Sequence, residues 1–448
     1  MCGAGGIDTS EPRVQEEFVP PEFCNRVLTE DFWSRLQDQQ PLLLPGVASA
    51  LPARFLASEL LEAFARGSGF GAISAAKRGQ PYDRENFFVA YLDQGTLSLD
   101  GAERFFPVLL DLCEALASSF DYATSQLVLD PPGCGGRPLQ VNSDMLLVQL
   151  WGEQRLTVFK PFEGPGAPAL RPESLLESQL KPGDVLCLPC GLGCRLLGSG
   201  APLQQRGASV PRGGSSASSS RSGVSAQSPS LYAVLKVRGE QQSFAHSMRE
   251  YLNEVLLTAP FSGDADGFFR SAAMKRSLPD RYPGACGAFA QEDAPACLRK
   301  ELEARLRRCA EELMPRVGAA GLTEHYAARM EKLRNAQRSQ AADMAKAAAA
   351  PEGHQGLVTP TAFVRIARGV KCRCMAGGSV ASFMRGGATL NLPIAESASF
   401  MINKLSDGSP HVVSSLPCDD PIERICVCNV LVFKECLEFT EGSGTSPA

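Results

Sequence analysis

Between about residue 123 and residue 239, the chain is a series of short apolar segments separated by turns rich in glycine and proline. Five of these segments are SQLVLD, MLLVQLW, QRLTVFK, DVLCLP and SLYAVLKV. Short apolar runs bounded by turn residues are typical of β-strands. Several such strands in close succession predict a sandwich or a barrel.

Two turns within this series allow specific predictions about the backbone. Pro182 and Gly183 hold the central positions of KPGD, which predicts a type II turn. Gly152 is the first residue of the two-residue link between MLLVQLW and QRLTVFK. A glycine there predicts a type II′ turn and therefore a hairpin formed by these two segments.

Helical patterns flank the strands. Thr29 is placed to cap a helix with an apolar face, and QQPLLLPGV follows as a short buried strand. After Gly239, apolar residues recur at helical spacing beside dense charge, which indicates helices that pack on one another or on a second copy. Residues 359–440 mix short helices and strands in a pattern typical of a small winged-helix domain.

The length of 448 residues predicts two or three domains, since one ordinary core is smaller than this. The region 204–229 is rich in serine and glycine and has almost no large apolar residue, so we expect it to be disordered. The predicted divisions are a flexible N-terminus at 1–22, a barrel with that insertion at 23–239, a helical dimerisation module at 240–346, a linker at 347–358, a winged-helix-like domain at 359–440 and a flexible tail at 441–448.

Charge and hydrophobicity argue against nucleic acid and membrane as partners. The net charge of −5 gives no general attraction to nucleic acid or to anionic membrane, and 359–440 has no concentrated basic face. No apolar run reaches the ~18 residues of a membrane-spanning helix. The first 18 residues have neither a basic start nor an apolar core, so we expect a chain that is not secreted and whose 16 cysteines are mostly reduced.

One group of cysteines has the spacing of a possible metal site. Cys187 and Cys190 form a CxxC pair, and Cys194 follows in the same loop and strand region. No second CxxC or nearby histidine completes four ligands. A structural zinc site at these three cysteines is therefore one hypothesis, and small buried thiols are the other.

The order of several landmarks resembles that of the JmjC-type ribosomal oxygenases. The landmarks are DFWSRLQDQQPLLLPGV, PLQVNSDMLLVQLWGEQRLTVFKP, KPGDVLCLPCGLG and SLYAVLKV, followed by the helical module and LNLPIAESASFMINKL. The resemblance spans residues 22–440, nearly the whole chain. It implies an α+β chain whose barrel is a double-stranded β-helix of the JmjC or cupin jelly-roll type.

The resemblance also implies a function. Members of that family are protein hydroxylases that bind Fe(II) through two histidines and a carboxylate and use 2-oxoglutarate. They hydroxylate a histidine of ribosomal proteins, and histone lysine demethylation has also been ascribed to them. By resemblance we expect a homodimer that meets a ribosomal, nucleolar or chromatin protein in the nucleus or nucleolus, with the cytoplasm as the other compartment.

The positions that carry this chemistry in the family hold other residues here. The family's His-x-Asp pair lies ten residues before Gln149 and falls on Leu139 and Val141. The distal histidine falls on Cys194, and the lysine that binds 2-oxoglutarate falls on Gln154. An alignment moved by three residues would place Asn142 and Asp144 at the His-x-Asp positions, which restores the carboxylate but no histidine.

Histidine content does not depend on any alignment. The four histidines are His246, His325, His354 and His411, so the predicted barrel contains none. Leu and Val at the ligand positions would fill the interior, and a neutral Gln154 avoids a buried unpaired lysine. The sequence therefore predicts an inactive barrel that binds neither Fe(II) nor 2-oxoglutarate and acts as a protein-binding scaffold.

A surviving enzyme with unusual ligands is the alternative. The oxygen and sulfur donors available to it are Asp144, Cys190 and Cys194. Thiolate ligands favour zinc or copper over the ferrous centre that this chemistry uses. Such an enzyme would still be a 2-oxoglutarate-dependent protein hydroxylase or demethylase.

Overall fold

The structure is a computed structural model of the 448-residue chain. It describes residues 17–77, 80–82, 86–134, 137–160, 174–198, 228–239, 242–243, 246–252, 307, 318–349, 357–375 and 379–440. The predicted insertion at 204–229 lies almost wholly outside these residues, and so does most of the predicted helical module. Among the helices that are described, none is long and apolar enough to cross a membrane.

The described residues up to Arg238 are mainly antiparallel β-structure. The described strands are β1 (Leu42–Leu44), β2 (Ile73–Lys77), β3 (Gln80–Pro81), β4 (Thr96–Asp100), β5 (Thr124–Asp130), β6 (Arg137–Gln140), β7 (Asp144–Trp151), β8 (Gln154–Phe159), β9 (Ser174–Leu180), β10 (Val185–Leu188), β11 (Gly193–Gly198) and β12 (Ser230–Arg238).

These strands form two sheets. The larger has the order β1-β10-β7-β12-β5-β4-β2-β3, and the smaller has the order β6-β11-β8-β9. From β5 to β12 the chain passes repeatedly between the two sheets, which is the strand order of an eight-stranded jelly roll. The prediction of an α+β chain with a large antiparallel β-structure is confirmed, and the arrangement is consistent with a cupin-like fold.

The turn predictions had different outcomes. Gly183 has φ +90° and the Asp184 N–H donates to the Lys181 carbonyl at 2.9 Å, so the KPGD turn is confirmed. Gly152 has the expected positive φ, +65°, but the predicted hairpin is wrong. The two segments that it joins, β7 and β8, lie in different sheets, because here the chain crosses from one sheet to the other.

Among the described residues of this part, five α-helices accompany the strands. They are α1 (Pro20–Val27), α2 (Glu30–Gln37), α3 (Ala57–Gly69), α4 (Phe87–Leu92) and α5 (Pro107–Phe120). Thr29 caps α2 as predicted, since its hydroxyl accepts the Phe32 N–H at 3.3 Å. Their apolar faces share a core with the outward face of the larger sheet, including Leu146 and Val148 of β7.

In its described residues, the C-terminal segment adds two small sheets and three α-helices. Its elements are α6 (Ala319–Ala349), β13 (Phe363–Ile366), β14 (Lys371–Cys374), β15 (Val380–Arg385), β16 (Ala388–Pro393), α7 (Ala398–Leu405), β17 (His411–Val412), α8 (Pro421–Phe433) and β18 (Leu437–Phe439). The sheet orders are β17-β13-β18 and β14-β15-β16.

The chain divides into two compact units, residues 1–238 with 336–448 and residues 239–335. In the first unit α8 packs on α4, and the Tyr91 hydroxyl donates to Asp420 Oδ2 at 2.8 Å. In the second unit His246 contacts the guanidinium of Arg329 at 2.6 Å. The separate winged-helix domain and the dimerisation role remain predictions.

Candidate functional site

The space between the two sheets of the jelly roll is filled by apolar side chains. We call this set the barrel core. Its members are Val128, Val141, Met145, Leu147, Leu156, Val158, Leu180, Leu186, Leu188, Leu192, Cys194, Leu196, Tyr232 and Val234. Successive side chains of a strand point to opposite faces, so β7 contributes Met145 and Leu147 to this core and Leu146 to the helical side.

Two of the positions singled out in the sequence lie in the barrel core. Val141 is 1% exposed and Cys194 is fully buried. Leu139 is the direct Cα partner of Cys194 in the pair of β6 and β11, so the strands bring these two sequence positions together. Burial raises the pKa of the Cys194 thiol to about 12, which keeps it protonated at neutral pH.

Gln154 is the first residue of β8 and is fully buried. Its Nε2 donates to Asp130 Oδ2 at 2.7 Å, and the other carboxylate oxygen of Asp130 accepts from the Thr96 hydroxyl at 2.5 Å. The amide therefore serves as a donor to a buried carboxylate. An amide in that role offers no positive charge to a dicarboxylate such as 2-oxoglutarate.

A second buried glutamine lies at the same sheet-to-sheet crossing. Gln149 Nε2 donates to the Ser230 hydroxyl and to the Trp151 carbonyl, both at 2.7 Å. The Oε1 atoms of Gln149 and Gln154 are buried without a hydrogen-bond partner. These side chains and Asp130 form the polar end of an otherwise apolar interior. Asp130 is not among the residues predicted from the sequence; its place at the end of a strand, directly before Pro-Pro-Gly, is the one signal that the sequence offers.

The three donors of the alternative enzyme, Asp144, Cys190 and Cys194, do not come together as metal ligands. Asp144 Oδ1 accepts the Cys190 N–H at 2.8 Å, and its Oδ2 lies 3.8 Å from the Arg238 guanidinium. Cys190 is exposed, whereas Cys194 is in the barrel core. Across the described residues, no three His, Cys, Asp or Glu side chains are grouped so that they could hold a metal ion.

The cysteines of the CxxC hypothesis are also separated. Cys187 belongs to the core shared with the helices, and Cys194 belongs to the barrel core. The alternation of β10 places the thiol of Cys187 on the outer face of the larger sheet. Since zinc needs its ligands about 2.3 Å from one point, this arrangement fits free thiols, two of them buried and that of Cys190 exposed.

The histidines lie on other parts of the chain. His246 contacts Arg329, and the ring of His325 lies 5.6 Å from that of Tyr251. His411 binds Asp407 Oδ1 through Nε2 at 2.9 Å, and His354 falls outside the described residues. The barrel therefore offers a ferrous ion neither imidazole nor a free carboxylate cluster among its described side chains, and its donor set does not fit the iron centre that the resemblance implies.

Comparison with known proteins gives matches only among solved structures. No protein-family model and no curated protein matches the chain. The X-ray structure of ycfD from E. coli covers 92% of this chain and 97% of its own, at 12% identity and a TM-score of 0.39. A second match is the structure of YcfD, a ribosomal oxygenase from Escherichia coli, in complex with cobalt and 2-oxoglutarate. It covers 91% of this chain and 98% of YcfD, at 12% identity and a TM-score of 0.36. The match to procruciferin from Brassica napus covers 32% of this chain and 25% of procruciferin, at 10% identity and a TM-score of 0.19.

Proposed function

We propose that this chain is a degenerate relative of the JmjC-type ribosomal oxygenases that acts as a protein-binding scaffold and carries out no oxygenation. The apolar closure of the barrel carries this proposal. Val141 and Cys194 are part of the barrel core, and Cys194 lies opposite Leu139 across the strand pair. A buried ion would have to displace this packing and would meet no histidine there.

The polar end of the barrel supports the same proposal. The family's lysine position holds Gln154, whose amide is already bound to Asp130 at 2.7 Å. A dicarboxylate brought to this end would meet a carboxylate and two amide oxygens without partners, which are all acceptors. Like charges and facing acceptors repel, so 2-oxoglutarate would bind poorly.

The proposal also covers the partner of the scaffold and the compartment in which the two meet. By the resemblance, the partner would be a ribosomal, nucleolar or chromatin protein, and the chain would act as a homodimer in the nucleus or nucleolus. The net charge of −5 favours a protein partner over nucleic acid. The helical region 240–346 is the expected dimerisation module.

A titration tests the proposal. Isothermal titration with Fe(II) under anaerobic conditions, alone and with 2-oxoglutarate, should give no heat of specific binding. In aerobic assays the protein with iron should form no more succinate than a blank. Tight binding of both, or turnover that Cys194→Ala abolishes, would overturn the proposal and favour the alternative, an enzyme with ligands drawn from Asp144, Cys190 and Cys194.

A further inference from the structure

A groove of about 560 Å³ runs beside β16 in the first compact unit. Residues 390–393 form one wall, and the opposite wall includes Val89 of α4 with Val430 and Phe433 of α8. Four consecutive strand residues point alternately to both faces of a sheet. A groove lined by all four therefore follows the edge of the strand and not one face. Its volume is in the range of ligand-binding pockets.

The edge of β16 presents hydrogen-bonding groups to this groove. β16 ends the order β14-β15-β16, and the Ile394 N–H donates to the Ser379 carbonyl at 3.1 Å. In an antiparallel pair such bonded positions alternate. The backbone groups of Thr389 and Asn391 therefore point away from β15, and Pro393 offers only its carbonyl. In the described part of the chain no group binds them.

The charges along the groove favour an acidic occupant. The single carboxylate of the lining, Asp93, is bound by Lys77 Nζ at 3.1 Å and by the Tyr82 hydroxyl. Lys434 also lines the groove, and no described carboxylate pairs with it. Its ammonium lies 5.1 Å from the centre of the Phe433 ring. The negative charge of Asp93 is thus balanced within the protein, and the positive charge of Lys434 is left to attract an acidic group.

The two amides of the lining are also oriented as donors. Asn86 Oδ1 accepts the Phe88 N–H at 2.8 Å, and Asn391 Oδ1 accepts the Ser382 hydroxyl at 2.6 Å. With the oxygens engaged, the NH₂ groups remain to donate. An exposed strand edge, an apolar wall and excess donors together match the recognition of an extended peptide that carries carboxylates.

We propose that this groove binds an extended acidic segment of a partner protein, which adds to β16 as a further strand. The backbone of the segment would pair with Thr389 and Asn391. One of its apolar side chains would pack on Val89 and Phe433, and a carboxylate would meet Lys434. This inference rests on the proposed scaffold role, for which it supplies the chemistry of the partner.

Fluorescence anisotropy with the full chain tests the inference. The probe is a labelled seven-residue peptide of alternating valine and glutamate, and two further peptides replace glutamate by glutamine or lysine. The glutamate peptide should bind with a dissociation constant below about 1 mM. The glutamine peptide should bind about tenfold more weakly, and the lysine peptide should not bind.

Variants locate the site. Lys434→Glu should weaken the glutamate peptide about tenfold or more and should improve the lysine peptide. Asn391→Pro removes an outward N–H from an edge strand, where proline is tolerated, and should also weaken binding about tenfold. Lys371→Glu makes the same charge change on β14, the other edge of the sheet, and should leave binding unchanged.

Three results would overturn the inference: no binding of the glutamate peptide, equal binding of the lysine peptide, or binding that Lys434→Glu leaves unaltered. Thermal unfolding of each variant verifies that the fold persists. Failure here is distinct from failure of the scaffold proposal, because succinate formation with iron and 2-oxoglutarate tests the barrel and not the groove.

Discussion

Gln154 Nε2 and Asp130 Oδ2 are joined by a 2.7 Å hydrogen bond inside the jelly roll, between the first residue of β8 and the last residue of β5. This bond links the two sheets at the polar end of the barrel. The Gln154 amide is thereby engaged within the protein. The relationship makes Asp130 a structural residue with a measurable contribution to stability.

Substitution of Asp130 should destabilise the barrel. Asp130→Ala leaves the Gln154 amide and the Thr96 hydroxyl without this acceptor, and an unsatisfied buried group costs about 1–3 kcal/mol. Urea unfolding should show a loss of at least about 1 kcal/mol. Asp130→Asn keeps one acceptor oxygen and should lose less. Equal stability of the alanine variant and the native protein would contradict the assigned role.

The two neighbouring thiols should differ sharply in reactivity. Burial and the Asp144 charge raise the pKa of Cys190, but this thiol is exposed, whereas Cys194 is fully buried and its pKa is raised to about 12. Since the thiolate is the reactive form, iodoacetamide at pH 8 should label Cys190 in the native protein and spare Cys194. Cys187, Cys190 and Cys194 share one tryptic peptide, so tandem mass spectrometry of its fragments gives the labelled fraction at each thiol, with urea-unfolded protein as the control. Rapid native labelling of Cys194 would mean that the barrel core opens.

Placing histidine and aspartate at positions 139, 141 and 194, the pattern that the resemblance implies, should create a metal site. Leu139 and Cys194 are cross-strand partners, and such positions have Cβ atoms about 4.5–5.5 Å apart. The variant Leu139→His, Val141→Asp, Cys194→His should bind Co(II) with visible d–d absorption, while the native protein does not. Without metal it should be less stable, because polar groups replace apolar packing at a cost of about 1–3 kcal/mol each.

The comparison variant is Leu139→His with Val141→Asp alone. It lacks the third ligand and should bind Co(II) much more weakly than the triple variant. Equal Co(II) spectra for the two variants would show that these three positions do not converge in the barrel.

The junction of α4 and α8 should respond to pH. Burial raises the pKa of Asp420 and, with the added effect of the Asp420 charge, that of Glu423. A raised folded-state pKa gives stability that is fully present below the ordinary carboxyl value, about 4, and that is lost as the pH rises through the raised value. The free energy of unfolding should therefore fall over this interval.

Glu423→Gln should flatten that dependence, because the amide does not ionise and can still accept the Ala395 N–H through its oxygen. Urea unfolding between pH 4 and neutrality measures the slope. Glu396→Gln, at an exposed position, is the matched control and should keep the native slope. A variant at position 423 whose slope equals that of the native protein would exclude Glu423 as a source of the dependence.

The sheet-to-sheet crossing should require glycine at position 152. Gly152 has φ +65°, and an added Cβ would lie 2.6 Å from the Pro229 carbonyl oxygen. Gly152→Ala should cost more than the roughly 1–2 kcal/mol of a left-handed conformation. Gly191→Ala is the control, since its φ is +92° but its Cβ would meet nothing within 4 Å. If Gly152→Ala and Gly191→Ala lower the free energy of unfolding equally, the clash with the Pro229 carbonyl would not contribute to the need for glycine.

The sequence alone determined much of this protein. Apolar runs and turn residues predicted the strands β5, β10 and β12, Pro182 and Gly183 predicted their turn, and Thr29 predicted the cap of α2. These features depend on a few neighbouring residues, so local patterns are sufficient. The lack of histidine before residue 246 is likewise a property of the sequence and needs no coordinates.

Only the tertiary structure decided which strands pair and which side chains meet. Gly152 predicted a positive φ correctly, yet β7 and β8 went to separate sheets, because pairing depends on the burial of both sheet faces and not on the turn alone. The bond from Gln154 to Asp130 joins residues 24 positions apart in the sequence. The groove beside β16 is lined by residues of α4 and α8, which are more than 300 positions apart in the sequence. Such contacts exist only once the chain has folded, since no local pattern encodes them.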